Sequence, residues 1–277
     1  MKNNIVFSSL LFALLMFSSV PPLAKKERPT FKLAYKIVVP GVSCYTLDHM
    51  GNLYTANNKG DILKFDNKGK QTATTNHKSY GNIQSIDASN PFEIYVFYKE
   101  QNKMLFFDNQ LNDRGLMDFE EAGYFLLSAA SRSFDNKVWV FDLNDLRLKK
   151  IRKDLSLELS SGNVREFAIS NRFDPEYIGD VNKQLYLFNK TTGLYEFDIF
   201  GNFTRKITLT DASQVQVSHG NLYYLKNNNI IGLDPTLLRD SPLTIQDKPE
   251  NVKSFSISPN RVVLQTIGDT LCVFEPI

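Results

Sequence analysis

Cysteine is scarce. Cys44 and Cys272 are the only two in 277 residues, too few for a disulfide framework. Histidine is nearly as rare: His49, His77 and His219 stand far apart, and none shares a metal-ligand spacing with a cysteine or another histidine. A serine-nucleophile elbow of the G-x-S-x-G type is absent, and Asp61, Asp66 and Asp108 lack the dense alternation of a calcium loop. The Asn-Lys-Gly and Asn-Asn-Asn clusters precede no helix, so they are hairpin chemistry and not phosphate cradles. Neither charge sign dominates. The 32 basic residues face 30 acidic ones, which leaves no overall basic footprint for nucleic acid. Sustained helical periodicity is missing too; only residues 143–159, with Arg147, Lys149, Lys150, Arg152 and Lys153, could pass for a basic helix.

Apolar residues make up 42% of the chain and aromatics 12%, ample for a packed core and incompatible with a disordered chain. The amino terminus is set apart. Lys2 gives a basic start, residues 5–20 carry no charge, Pro21-Pro22 interrupts the segment and Ala24 suits a cleavage site. This reads as a secretory signal peptide over residues 1–24. A retained anchor is the rival, but the uncharged run of 16 residues falls short of the roughly 20 that span a bilayer. No cysteine follows the run to take a lipid. The expectation is an exported protein, periplasmic or at the cell surface, soluble and not lipid-anchored, with residues 25–30 as a linker.

Short apolar runs recur through the rest. Leu53-Tyr54-Thr55-Ala56 reappears as Ile94-Tyr95-Val96-Phe97, Val138-Trp139-Val140-Phe141, Leu185-Tyr186-Leu187-Phe188, Leu222-Tyr223-Tyr224-Leu225 and Val262-Val263-Leu264. The second residues of these runs lie 41, 44, 47, 37 and 40 positions apart. A closing acid recurs as well, in Phe65-Asp66, Phe107-Asp108, Lys153-Asp154, Phe197-Asp198, Leu233-Asp234 and Phe274-Glu275, at offsets of 12, 13, 15, 12, 11 and 12 residues. Two markers in near-constant register over six copies define a sixfold repeat. A period of about 40–45 residues holding four strand-sized segments is the signature of a propeller blade.

The sequence therefore predicts an all-β fold: a six-bladed β-propeller of four-stranded antiparallel blades, as one domain over residues 31–277. The blades fall at about residues 42–76, 82–119, 123–163, 164–210, 212–246 and 251–277. Inner strands, sandwiched between neighbouring blades, should be apolar on both faces, and the outermost strands polar. Residues 143–159 become the third strand of blade three and the hairpin after it. The sixth copy ends at Ile277, after its third strand. Residues 31–39 alternate large apolar side chains with lysine or alanine, so they should supply the missing strand and close the ring, with Phe31, Leu33, Tyr35, Ile37 and Val39 facing the blade packing. The equivalent aromatics Tyr54, Tyr95, Trp139, Tyr186 and Tyr223 read as inter-blade packing. The single tryptophan excludes the repeated-tryptophan docking that locks some propellers. Pro40-Gly41-Val42, Leu47-Asp48, Gly51-Asn52-Leu53-Tyr54, Ile62, Phe65-Asp66 and Gly69 together resemble one copy of the NHL-type repeat of six-bladed, TolB-like propellers. That resemblance implies a fold and no particular activity.

Some six-bladed relatives hold a divalent metal in the central channel and hydrolyse lactones or esters. Asp48, Asp87 and Asp180 lie where such ligands would, but Ser128, Ser218 and Ser258 occupy roughly matching places in other copies. No catalytic residue, metal site or cofactor is assigned. The expected working face is built from the loops leading into the inner strands, which carry His77, Tyr80, Glu120, Glu121, Tyr124, Arg165, Arg172, Phe173 and Asp174. Aromatics mixed with both charge signs suit a protein interface. The expected function is a non-enzymatic protein-interaction scaffold in a bacterial cell envelope, a subunit of an outer-membrane or secretion assembly. The alternative is a propeller that binds a small molecule or glycan, or hydrolyses an ester or lactone, at the channel mouth. Cys44 and Cys272 fall on adjoining blades yet too far apart for a disulfide, so both should be free thiols.

Overall fold

The structure, a computed structural model, describes residues 29–167, 173–181, 183–209, 211–218 and 220–277. The proposed signal peptide, His219 and Arg172 lie outside them. The described chain forms six four-stranded antiparallel sheets arranged as a β-propeller. Blade one is β2 (Val42–Leu47), β3 (Leu53–Asn57), β4 (Asp61–Phe65) and β5 (Gln71–Asn76). Blade two is β6 (Ser85–Asp87), β7 (Ile94–Tyr98), β8 (Lys103–Phe107) and β9 (Asp113–Asp118). Blade three is β10 (Leu127–Arg132), β11 (Val138–Asp142), β12 (Arg147–Ile151) and β13 (Leu157–Ser160). Blade four is β14 (Tyr177–Val181), β15 (Gln184–Asn189), β16 (Gly193–Asp198) and β17 (Phe203–Ile207). Blade five is β18 (Gln214–Ser218), β19 (Asn221–Lys226), β20 (Asn229–Asp234) and β21 (Arg239–Pro242). Blade six is β22 (Ser254–Ser258), β23 (Arg261–Gln265) and β24 (Thr270–Pro276), completed by β1 (Phe31–Val38).

The closing acid has a structural task. Asp66 opens the turn between β4 and β5: its Oδ1 accepts from the amides of Lys68 and Lys70 at 2.8 and 2.9 Å. Asp108 and Asp198 repeat this with Gln110 and Asn112, and with Phe200 and Asn202. A carboxylate bonded to turn amides stands in for a backbone carbonyl. Gly69 takes the left-handed position of that turn at φ 81°, where a side chain is strained. In blade three the position equivalent to Asp66 is Arg152, whose amide donates to Ser156 O at 2.9 Å. The Lys153-Asp154 assignment is therefore corrected by two residues toward the amino terminus, to 13 residues after Trp139, in step with the other blades.

Ring closure by β1 is observed, with a difference. β1 pairs antiparallel with β24, and the register shifts between Leu33 and Tyr35. A bulge adds one residue to one strand and reverses the facing of every side chain beyond it. Phe31 therefore packs among blade five and six residues such as Leu225 and Phe274, while Tyr35, Ile37 and Val39 pack with Leu47 and Leu53 of blade one. Leu33 stays 41% exposed. The other four side chains are shared between two blade junctions and do not line one.

A second difference concerns the inner strands. The six marker positions pair with Thr46, Asp87, Ser131, Gly179, Gln216 and Ser256 on the inner strands. Five of the six are polar, where apolar residues were expected. The innermost strand has no neighbour on its channel side, so its free amides need other partners. Side chains from the preceding blade supply them. Asp87 accepts from Arg132 N at 3.1 Å, Tyr177 Oη from Val217 N at 2.9 Å and Ser256 Oγ from Leu47 N at 3.1 Å. Gln214 and Gln216 each clasp a residue of β22, bonding both N and O of Phe255 and Ile257.

Both cysteines are free, as expected. Cys44 packs at the junction of blades one and two, and Cys272 in the core shared by blades five and six. Burial pushes the Cys44 thiol up to about 12. Among the described residues, no helix is long and apolar enough to cross a membrane.

Candidate functional site: the loop face and the channel

Strand order puts two kinds of connection on one face: the loops leading into inner strands and the loops joining second to third strands. This loop face carries most of the expected site residues that the structure describes. The opposite, turn face carries the tight hairpin turns. On the loop face Asp118 caps a 3-10 turn, Phe119–Ala122, by accepting from Glu120 N at 3.2 Å. Phe119 is buried beneath it, which leaves Glu120 and Glu121 exposed. Asn163 caps Val164–Glu166 in the same way and leaves Arg165 exposed over buried Val164.

The remaining expected residues divide. His77 is half-buried, its ring 5.1 Å from Phe107 and its Nε2 3.1 Å from Thr75 Oγ1. Tyr80 leans on Tyr98 at 5.5 Å, and Tyr124 takes Lys149 Nζ over its ring at 5.1 Å. Asp174 is exposed and reaches Lys99 Nζ of blade two at 3.4 Å. Phe173 does not belong to the face. It is 4% exposed and packs edge-to-face on Phe141 and Tyr195 at 5.4 and 5.0 Å, because the aromatic core between blades three and four has room for a ring from the loop above it.

Two residues were missed. Phe125 and Leu126 are 61% and 50% exposed on the loop face. The run Tyr124-Phe125-Leu126-Leu127 reads as one apolar strand start, yet β10 begins only at Leu127. Asn102 decides this. Its backbone is left-handed at φ 46°, its side chain is buried, and it bonds both sides of the pair: Nδ2 donates to Phe125 O at 3.0 Å and Oδ1 accepts from Leu127 N at 3.0 Å. The pair lines a groove of about 380 Å³ between blades two and three, together with Asn82, Gln84, Lys99, Glu100, Asn102 and Leu127. Exposed apolar side chains on the turn face, among them Met50, Phe92, Phe134 and Phe200, stand singly on separate turns, as is ordinary for a protein surface.

The central channel holds about 420 Å³ and is lined by the inner strands. Three of its four acids are engaged, and Glu176 is exposed. Asp48 accepts from Met50 N, Asn52 N and Asn52 Nδ2 at 2.9, 2.8 and 2.7 Å. Asp87 bonds Ser89 N at 2.9 Å besides Arg132 N. Asp180 Oδ2 accepts from Ser133 Oγ, Phe134 N and Trp139 Nε1 at 2.9, 3.2 and 3.1 Å, tying blade four to blade three. Among the described residues no group of three His, Cys, Asp or Glu side chains is arranged to hold a metal ion.

No protein-family model matches the chain, and no curated protein matches it in sequence. Solved structures do. A catalytically inactive virginiamycin B lyase from Staphylococcus aureus with quinupristin superposes with TM-score 0.57 at 15% identity, over 85% of this chain and 80% of that one. A streptogramin B lyase gives 0.59 at 12% identity, over 89% and 88%. The WD40 domain of Neurospora crassa Pan2 gives 0.57 at 10% identity, over 90% and 96%. At these identities the likeness is one of fold alone: this chain is a six-bladed β-propeller, shaped like the lyases.

Proposed function

We propose that the protein is an exported, non-enzymatic propeller that works as a protein-interaction scaffold in a bacterial cell envelope, as a subunit of an outer-membrane or secretion assembly. The observation that carries this reading is the Phe125–Leu126 pair, held out into solvent by a buried asparagine next to a groove. A protein that merely needed a stable fold would gain by burying both side chains, and interfaces favour such apolar anchors. The engaged aspartates of the channel support the scaffold over hydrolysis of an ester or lactone at the channel mouth. Export rests on the pattern of residues 1–24, and a secreted product whose amino terminus lies near Lys25 would support it.

The test uses the mature chain and a Phe125→Ser, Leu126→Ser variant. Both side chains are at least half exposed, so the melting temperature should move by only about 2 °C. Tagged wild type should recover specific proteins from envelope extracts in gentle detergent, and the variant should lose them. Equal recovery by both, or none by the wild type, would count against the scaffold.

A further inference from the structure

We infer that the loop face takes a basic, extended protein segment, seated by one large apolar side chain in the groove between blades two and three. The inference rests on the scaffold reading and adds the chemistry of the partner. Charge carries it first. In the loops from blade two to blade four, Glu100, Glu120, Glu121, Glu166, Asp174 and Glu176 are exposed. Among the described basic residues of the same loops, Lys99 is already paired with Asp174 at 3.4 Å, Lys103 is paired with Asp118, and Lys78, Arg165 and Lys190 stand exposed, so the acids remain in excess. The bonds that Glu100 and Glu120 accept come from the neutral amides of Asn82 and Asn102, which bring no positive charge. An acidic surface around an apolar anchor selects a partner of opposite sign.

Shape carries it further. A groove of about 380 Å³ admits a few side chains of an extended segment, and is too small for a helix about 10–12 Å across. Gln84 lines both this groove and the channel, and Glu176 also lines the channel. A segment anchored on Phe125 and Leu126 can therefore continue inward to Glu176 at the loop-face mouth of the channel, whereas Asp48, Asp87 and Asp180 lie at its opposite, turn-face end. A lysine or arginine following the anchor would meet Glu176 along that path.

The experiment is fluorescence polarisation of the mature chain with three labelled peptides of about ten residues. One carries lysines around a single phenylalanine, the second has its lysines replaced by glutamate, and the third has its phenylalanine replaced by serine. Only the first should bind, and roughly tenfold more weakly when salt rises from about 0.05 to 0.5 M. Glu121→Lys, Glu166→Lys, Glu176→Lys together, all at exposed positions, should weaken it by at least about tenfold with the melting temperature unchanged. So should the Phe125, Leu126 variant. Binding of the acidic peptide as tightly as the basic one, binding by none, or indifference to the triple charge reversal would overturn the inference. Envelope proteins that need Phe125 and Leu126 yet ignore the charge reversal would sink this inference while leaving the scaffold standing.

Discussion

Asp135 shows how a single side chain holds part of blade three. Lys150 and Lys137 converge on its Oδ2 at 2.8 and 3.0 Å. The Lys150 side chain is 3% exposed and also lies over the rings of Phe134 and Trp139 at 4.8 and 5.4 Å, so its charge depends on that carboxylate. Burial pushes the Asp135 carboxyl up, but the hydrogen bonds from Lys150 and Lys137 outweigh it and hold it at about 2. That is below the value of about 3.9 for an unfolded aspartate. The stabilisation is therefore complete above about pH 4 and is lost as pH falls through about 2. Asp135→Asn should cost about 1–3 kcal/mol near neutral pH, and its deficit against wild type should close as pH approaches 2. Urea midpoints across that range check it. A deficit independent of pH would mean that Glu158, 3.9 Å from Lys150 Nζ, neutralises the lysine instead.

Among the elements, β1 is the one whose loss should be felt across the ring. It pairs along β24, and Phe31 also forms a parallel bridge to Ile245, donating to Thr244 O at 2.9 Å and accepting from Gln246 N at 2.8 Å. Phe31 and Val39 are 3% and 1% exposed; burying such a pair contributes roughly 3–6 kcal/mol, a large share of a typical domain stability of about 5–15 kcal/mol. Deleting residues 25–39 also bares β24 as an unpaired edge. It should give an aggregating or strongly destabilised product, whereas deleting residues 25–29 should be nearly silent. Thermal melts of both decide, and a long deletion melting within a few degrees of the intact chain would refute the closure. This strand was legible in the sequence because period-two alternation and the missing fourth strand of the last copy point to the same segment. Its bulge was not, since nothing in Leu33-Ala34-Tyr35 marks an extra residue. Bulges also separate what repeats share: the register of β10 shifts between Leu127 and Ala129. The polar inner strands were hidden for another reason. Demand for Gln216 or Ser256 comes from free amides on a neighbouring blade, about 40 residues away in the chain for the glutamine, and local patterning carries no trace of it. The loop face was legible as a place, through turn chemistry and strand order. Its contents were sorted by tertiary packing: Phe173 went inward, and Asn102 held Phe125 and Leu126 out.

For the molecule as a whole, the question is what keeps six blades in a ring. Two devices operate at the seam between blades six and one. One is covalent continuity: β1 belongs to the sheet of blade six but runs directly into β2 of blade one. The other is local: Ser256 Oγ takes Leu47 N, and Tyr45 Oη bonds Ser254 Oγ at 2.9 Å and accepts from Gln265 N at 3.1 Å. Other junctions have side-chain clasps too, such as Gln214 and Gln216 between blades five and six, so the clasps alone do not distinguish the seam. Circular permutation separates the two. Ile277 N donates to Thr30 O at 2.9 Å, so a short linker can join these residues without moving a strand. Opening such a chain within residues 247–251 leaves every blade built from contiguous sequence, and the ring then closes by clasps and packing only. Opening it instead within residues 143–146, between β11 and β12, keeps one blade shared by both ends. Chain continuity across a seam confines the two blades together at small entropic cost, so the first permutant should melt well below the second, with both showing the β-rich circular dichroism of the parent. If the two melt together, the strand shared across the seam contributes no more than the clasps do, and the ring is held by side chains at all six junctions.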